Sequence, residues 1–384
     1  LEEYDDTVRK NWFNLRRQWE QYTFNVDALW YDNINARRQN TDDTTLQTLP
    51  AIQFDVSRKE IFDTSVYYTL DSELRSFYRK DTTSALVKGR RTDIYPKFYY
   101  PVKLGKSFNF EPSIGLRQTT WHTTDFTDSN GNSDDFRSRE MYDLGADLST
   151  KVFRIFNTQN SFADKIKHEI IPKLEWDYIP YISQNEFASF DGLDRIAEQN
   201  LLTWSVIQHL ISRKTEQLND GNEINNYKNF AYIKVSQSFD IKKERDNVSK
   251  PFSDIALDME LSPHNYFSLD TKLTWSPYDY HFKTLNVGAT VSNRRKDRLR
   301  TEYRYKTSSS ESLFTRVDVS LTDEIMTFYS FEKNLMTKKT LETNAGLTLK
   351  KSCWNLDLFF KETDSEQSIA FLINLHGIGE FGIK

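Results

Sequence analysis

Apolar and polar residues alternate along most of this chain. From Tyr266 to Ser276 the sequence YFSLDTKLTWS puts Phe267, Leu269, Thr271, Leu273 and Trp275 on one parity and Ser268, Asp270, Lys272 and Thr274 on the other. A period of two belongs to a β-strand with one apolar and one wet face. Soluble strands usually run about five or six residues, whereas a tilted strand crossing a bilayer needs about nine to eleven. This run is of the longer kind, and it recurs. Tyr22 to Trp30, Tyr142 to Leu148, His168 to Tyr178, Ile255 to Leu261, Leu285 to Val291, Leu299 to Tyr305, Leu313 to Leu321, Leu341 to Leu349, Trp354 to Phe360 and Ile369 to Leu375 repeat the pattern. Ile52, Phe54 and Val56 open another strand, which Val66, Tyr68 and Leu70 continue across a break near Asp63. Phe108 to Leu116 also alternates, but Pro112 inside it demands an edge, a bulge or a strand end.

Connections alternate between tight and long. Lys350 to Ser352 and Pro263 to Asn265 are short; Leu193 to Gln199, Leu218 to Asn229 and Lys242 to Lys250 are longer and polar. Asp125 to Phe136 is a polar loop with an Asn130-Gly131 turn signal. Strand and turn signals predict about nineteen or twenty strands. No convincing amphipathic helix interrupts them. The fold class is all-β and antiparallel.

One parity is apolar in strand after strand. A soluble sheet of this kind would need a second sheet to cover it. A membrane barrel covers it with lipid and turns the other parity to a wet lumen. On that reading Asp270, Lys272, Arg298, Arg300, Glu302 and Arg304 face a lumen; on the soluble reading they face solvent. Mean hydropathy is −0.69. A barrel tolerates this value because only alternate residues meet lipid. Aromatic residues make up 14% of the 384, including 20 Tyr and 8 Trp, which suits side chains at membrane interfaces. No apolar run approaches the roughly 18 residues of a membrane helix.

The net charge of −5 comes without a basic block, which argues against a nucleic-acid partner. A single cysteine, Cys353, allows no internal disulfide and no cysteine metal cluster. Hydrolase, zinc-protease and phosphate-loop motifs are missing, so nothing calls for catalysis, a cofactor or a metal. Asp191, Asp194 and Arg195 stand close together and read as an ion-paired loop.

Residues 170 to 200, IIPKLEWDYIPYISQNEFASFDGLDRIAEQN, carry a more specific signal. Tyr178, Pro180 and Tyr181 end a strand. Phe190 and Asp191 follow in a loop, then Leu193, Asp194, Arg195 and Ile196, and Asn200 enters the next strand. This stretch resembles the central barrel signature of the LPS-assembly protein LptD family of the Gram-negative outer membrane. The last strand, FLINLHGIGEFG, and Cys353 just after a tight turn are similar to that family's ending.

The resemblance implies a transport role in the cell outer membrane and no enzyme activity. The family's barrel has 26 strands and holds an LptE lipoprotein plug. It takes lipopolysaccharide from a periplasmic Lpt bridge, docked by an N-terminal jelly-roll domain, to the outer leaflet and outer-membrane lipid. Lipid A leaves through a seam between the first and last strands. The expectation is therefore that residues 1–384 form the C-terminal part of one incomplete transmembrane β-barrel, without the jelly roll and first strands. Ile369, Phe371, Ile373 and Leu375 would lie on a seam strand. Family members carry cysteines that pair with the N-terminal domain, which implies that role for Cys353; by alternation it shares the lumen parity of Asn355 and Asp357. The alternative is a general porin or solute-uptake barrel. The membrane reading predicts that the purified protein needs detergent and migrates on gels in a heat-modifiable way; a monomer that stays soluble without detergent would exclude it.

Overall fold

The structure is a computed structural model describing residues 8–80, 86–124, 126–128, 131–158, 162–217, 222–376 and 379–383. It is one antiparallel sheet of 22 strands. In chain order these are β1 (Val8–Trp19), β2 (Tyr22–Asn33), β3 (Gln47–Glu60), β4 (Tyr67–Lys80), β5 (Leu86–Tyr99), β6 (Val102–Leu104), β7 (Phe108–Thr124), β8 (Phe136–Thr150), β9 (Val152–Asn157), β10 (Lys165–Ile179) and β11 (Gln199–Gln217). There follow β12 (Glu223–Asp240), β13 (Ile255–His264), β14 (Phe267–Trp275), β15 (Phe282–Ser292), β16 (Arg298–Lys306), β17 (Ser310–Ser320), β18 (Ile325–Asn334), β19 (Thr340–Lys350), β20 (Trp354–Thr363), β21 (Gln367–Leu375) and β22 (Gly379–Ile383). Helix α1 (Ile34–Gln39) and helix α2 (Ile241–Arg245) are single short turns in loops. No helix among the described residues is long and apolar enough to cross a membrane.

Successive strands are neighbours, so the topology is an up-and-down meander. Two segments are continuations of the strand before them. β5 and β6 pair with the same strand, β7, and β8 and β9 with β10. The 22 segments therefore make twenty passes across the sheet. β1 pairs with β2, and β22 with β21; the described residues give neither a second partner.

Both continuations explain a proline. Pro112 on β7 lies opposite the interruption between β5 and β6, where its missing N–H leaves no gap in a ladder. Pro172 on β10 lies opposite the interruption between β8 and β9 in the same way. Neither strand is at an edge of the sheet.

The register sorts side chains onto two faces. Leu74, Ile94, Leu116, Tyr142, Leu174, Trp204, Leu299, Val317, Leu347, Leu358 and Phe371 are exposed and share the apolar face. Leaving such a face in water costs roughly 25 cal/mol per Å² of apolar area. Contact with lipid removes that cost, and strands of nine to nineteen residues reach across a bilayer.

Several expectations need correction. The break near Asp63 is a hairpin turn between β3 and β4, with Phe62 and Asp63 both at positive φ. The polar stretch Leu218 to Asn229 is mostly strand, since β12 starts at Glu223; Leu218 lies outside the described residues. Asn130 also lies outside them, while Gly131 has the left-handed φ of +86° that its turn signal requires. The Gly-rich tail after Leu375 forms β22, so β21 is paired on both sides and the last strand is β22. Hydrogen exchange should be slowest in β11, where Leu201 to Arg213 is paired on both sides, and much faster in β1. Equal protection in the two would show that the outer edge of β1 has a partner.

Candidate functional site

The connection between β10 and β11, residues 180–198, folds back onto the polar face of β4, β5, β7 and β8. Its geometry starts locally. Asp191 caps the 3-10 turn Gly192–Asp194, accepting from the Leu193 N–H at 3.0 Å. Asp194 closes the capping box: its Oδ2 accepts from the N–H groups of Phe190 at 2.6 Å and Asp191 at 2.9 Å. Its Oδ1 accepts from Arg91 Nη1 and from Trp121 Nε1, both at 2.7 Å. Asp194 is fully buried, and so is Arg91.

Arg91 also donates to Asp191 Oδ2 at 2.7 Å and pairs with Glu73. Three carboxylates thus surround one guanidinium, with Arg75 joining Glu73 at 2.9 Å. Burial pushes the Asp191 carboxyl up, but the hydrogen bonds and charge of Arg91 outweigh this and hold it below the ordinary aspartate range. The buried Arg139 binds the loop through a backbone and a side-chain acceptor, donating to the Leu193 carbonyl at 2.9 Å and to Gln184 Oε1 at 2.7 Å. Gln184 in turn holds Ile196 through N–H and carbonyl. Arg195 turns inward on its own loop, donating to the Phe187 carbonyl at 2.7 Å.

Apolar contacts complete the docking. Phe190 stacks on Phe77 with centroids 4.5 Å apart, and Phe187 stacks on Trp121 at 4.6 Å. These residues and Ala188 form the buried apolar cluster. Gly89 on β5 is required here, since a Cβ on it would come within 2.5 Å of the Phe190 ring.

The register connects this site to the distant charged strands. Glu73, Asp93, Thr119 and Arg139 are successive partners across β4, β5, β7 and β8. Their face continues through Asp147, Glu175, Thr203 and Ser238 to Glu260, Asp270, Gly288 and Glu302. The loop therefore docks on the same face that carries Asp270, Lys272, Arg298, Arg300, Glu302 and Arg304. Those charges neutralise one another: Asp270 pairs with Arg300 at 3.4 Å, Glu302 with Arg300 at 3.1 Å and Arg304 at 2.8 Å, Arg298 with Asp318 at 3.1 Å, and Lys272 with Asp258 at 3.7 Å.

The other sequence-predicted residues are more dispersed. Tyr178 lies on the apolar face with Trp176, whose Nε1 donates to Asn200 Oδ1 at 3.0 Å. Pro180 and Tyr181 begin the loop, and Tyr181 is exposed. Leu193 contributes its carbonyl to Arg139. Ile369, Phe371, Ile373 and Leu375 share the apolar parity of β21, one strand in from the sheet's end. Cys353 is an exposed free thiol in the turn between β19 and β20, and its carbonyl accepts from the His376 N–H at 3.0 Å. The wall residues Glu73, Gly89, Arg91, Trp121 and Arg139 escaped sequence reasoning. Adjacent Arg90 and Arg91 blur the alternation of β5, and nothing in sequence links them to a loop about a hundred positions away.

A polar, ion-paired face backed by an apolar one across twenty long passes defines an integral outer-membrane β-barrel protein. The family described as LPS transport system D, LptD, matches residues 5–331 of the chain. The chain belongs to that family. An LPS-assembly protein LptD of Methylococcus capsulatus is 21% identical over 420 residues, covering 92% of this chain. The chain spans 38% of that relative's length. Among solved structures, the siderophore receptor PirA of Acinetobacter baumannii is similar over 97% of this chain and 72% of its own, at 7% identity and a TM-score of 0.46. The ferric enterobactin receptor PfeA of Pseudomonas aeruginosa is similar over 95% and 69%, at 8% identity and a TM-score of 0.41. Likeness at that level carries no argument about function.

Arg91→Ala strands Asp194 in a buried site, at a cost of about 3–5 kcal/mol. The loop should undock and trypsin should cut after Arg195. Arg58→Ala, which breaks an exposed pair with Glu111, should cost under about 1 kcal/mol and leave the loop protected. Because the folded Asp191 carboxyl is depressed, its contribution to docking is complete above the ordinary aspartate range and is lost as pH falls through the depressed value. Near-UV circular dichroism of the Trp121 stack should therefore report loop release in acid; release on the alkaline side alone would contradict this assignment.

Proposed function

We propose that this chain forms the wall of a lipopolysaccharide transporter that passes LPS from a periplasmic bridge to the outer leaflet of the outer membrane. One observation carries the proposal: in a chain of the LptD family, a continuous polar face runs behind an apolar one across the whole meander. Dragging a glycan through hydrocarbon would strip many hydroxyls and phosphates of partners, at a cost on the order of several kcal/mol each. A wet face keeps sugars solvated while acyl chains stay in lipid. The lumen charges pair among themselves, so they offer a polar surface without trapping the phosphates of a passing ligand.

In this proposal residues 1–384 belong to a single barrel domain that performs no catalysis. At the C-terminal end of the ladder, β21 with β22 forms one side of the exit for lipid A, where few strand-to-strand bonds need break. The partners are LPS, an LptE-like lipoprotein plug against the polar face, outer-membrane lipid and the periplasmic Lpt bridge. Cys353, exposed on the side of the short turns, forms a disulfide with a periplasmic segment of the full protein.

Depletion of the protein should leave LPS short of the cell surface. Normal surface LPS after depletion, combined with lowered solute uptake, would favour the porin reading instead. Mass spectrometry under non-reducing conditions should find Cys353 oxidised to a disulfide, and a free thiol there would remove that part of the proposal.

A further inference from the structure

A second feature lies on the opposite, apolar face. Lys59, near the end of β3, pairs in register with Tyr68, and Tyr68 with Phe98. Leu70 is partnered by Val56 and Pro96, and Val56 by Tyr22. All these residues therefore share the face that carries Leu74 and Ile94. Apart from Val56, they line a cleft of about 590 Å³ together with Glu60, Ile61 and Phe62; Glu60 pairs in register with Tyr67, on the opposite parity to Lys59 and Tyr68. The Lys59 ammonium donates to the Tyr22 hydroxyl at 2.6 Å and lies 4.7 Å from that ring's centroid. Among the described residues it makes no ion pair.

The cleft opens at the rim that carries the short turns. Its connections include Glu20–Gln21, residues 105–107, Asn265–Tyr266 and residues 351–353. The other rim carries the longest loops, residues 34–46, 180–198 and 241–254, beside short turns such as residues 307–309 and 364–366. In outer-membrane barrels short turns face the periplasm. A lysine on a lipid-facing surface at this level reaches its ammonium to the headgroup zone while its stem lies along apolar rings.

We infer that this cleft binds a net-anionic glycerophospholipid of the periplasmic leaflet. Lys59 takes the phosphate, and Leu70, Pro96 and Phe98 take the proximal acyl chain. The Tyr22 hydroxyl holds the ammonium at the mouth of the cleft. A single unpaired cation matches a single phosphate; a multiply anionic saccharide lipid would leave its other charges unmatched here. The inference rests on the membrane location of the barrel and is independent of what the barrel transports.

Native mass spectrometry of the purified protein, given equimolar phosphatidylglycerol and phosphatidylcholine, tests it. The wild-type protein is expected to retain one phosphatidylglycerol, with phosphatidylcholine at background. Lys59→Gln should lower retained phosphatidylglycerol about fivefold, and Lys59→Glu further, with heat-modifiable migration checking that both fold. Phe98→Ala should lower retention without changing the preference between lipids. Equal retention of both lipids by the wild type, or unchanged retention in Lys59→Glu, overturns the inference. If neither Lys59 variant folds, the wild-type preference and its loss at high salt decide the matter alone.

Discussion

Everything in this structure depends on pairing the backbone. In hydrocarbon an unpaired N–H or C=O costs several kcal/mol, because no water can replace the missing partner. An antiparallel meander meets the demand with local connections: each strand bonds to the one before and the one after. Among the described residues the outer edges of β1 and β22 lack a ladder partner, and so does one edge of each short continuation, β6 and β9. The same constraint places Pro112 and Pro172, since a residue without an N–H is tolerated where the neighbouring ladder is already interrupted. Once the ladder is set, the two-residue period decides which side chains meet lipid and which meet water.

The two faces then obey different rules. The apolar face needs only to be apolar, and its side chains are varied and half-exposed. The polar face must dispose of its charges. Along β13 to β18 it does so by alternating sign along β16, through Arg300, Glu302 and Arg304, and by pairing these across intervening strands with Asp270 of β14 and Glu332 of β18. On β4 to β8 it is covered instead by a loop. The pair of Arg91 with Asp194 is fully buried there, so its desolvation cost is large and its net stabilisation modest. What it secures is position: an undocked loop would take Asp191 and Asp194 from Arg91 and leave it only Glu73 of β4. The stacked rings of Phe187 and Phe190 add the apolar burial that the ion pairs do not provide.

Much of the fold is legible in the residues because lipid contact enforces alternation. Strands such as β14, β16 and β17 read cleanly for that reason. Legibility fails where the enforcement lapses. The first half of β12, Glu223 to Asn229, is polar on both parities and exposed on both faces. β18 fails in the opposite way: Phe328 sits on the polar face, where Arg316 covers its ring at 4.1 Å from the centroid, so both parities look apolar. β5 carries charges on both parities around Arg90 and Arg91. Of the site, the sequence singled out the loop's Asp191, Asp194 and Arg195 as an ion-paired group; in the structure the two aspartates pair with Arg91 of the wall, and Arg195 donates to loop carbonyls instead.

By itself the sequence determined the class of fold, the number of passes to within one, the division into lipid and polar faces, and the family signature around Tyr178 to Asn200. These follow from local rules, since period, strand length and turn chemistry are properties of neighbouring residues. Only the tertiary structure decided that the signature loop lies against β4, β5, β7 and β8, that Gly89 clears space for Phe190, that β22 extends the ladder, and that Lys59 stands unpaired over an apolar cleft. Each of these depends on contacts between residues far apart in the chain. Such contacts are set by strand register and loop trajectory, and a period of two is the same in every register that differs by two.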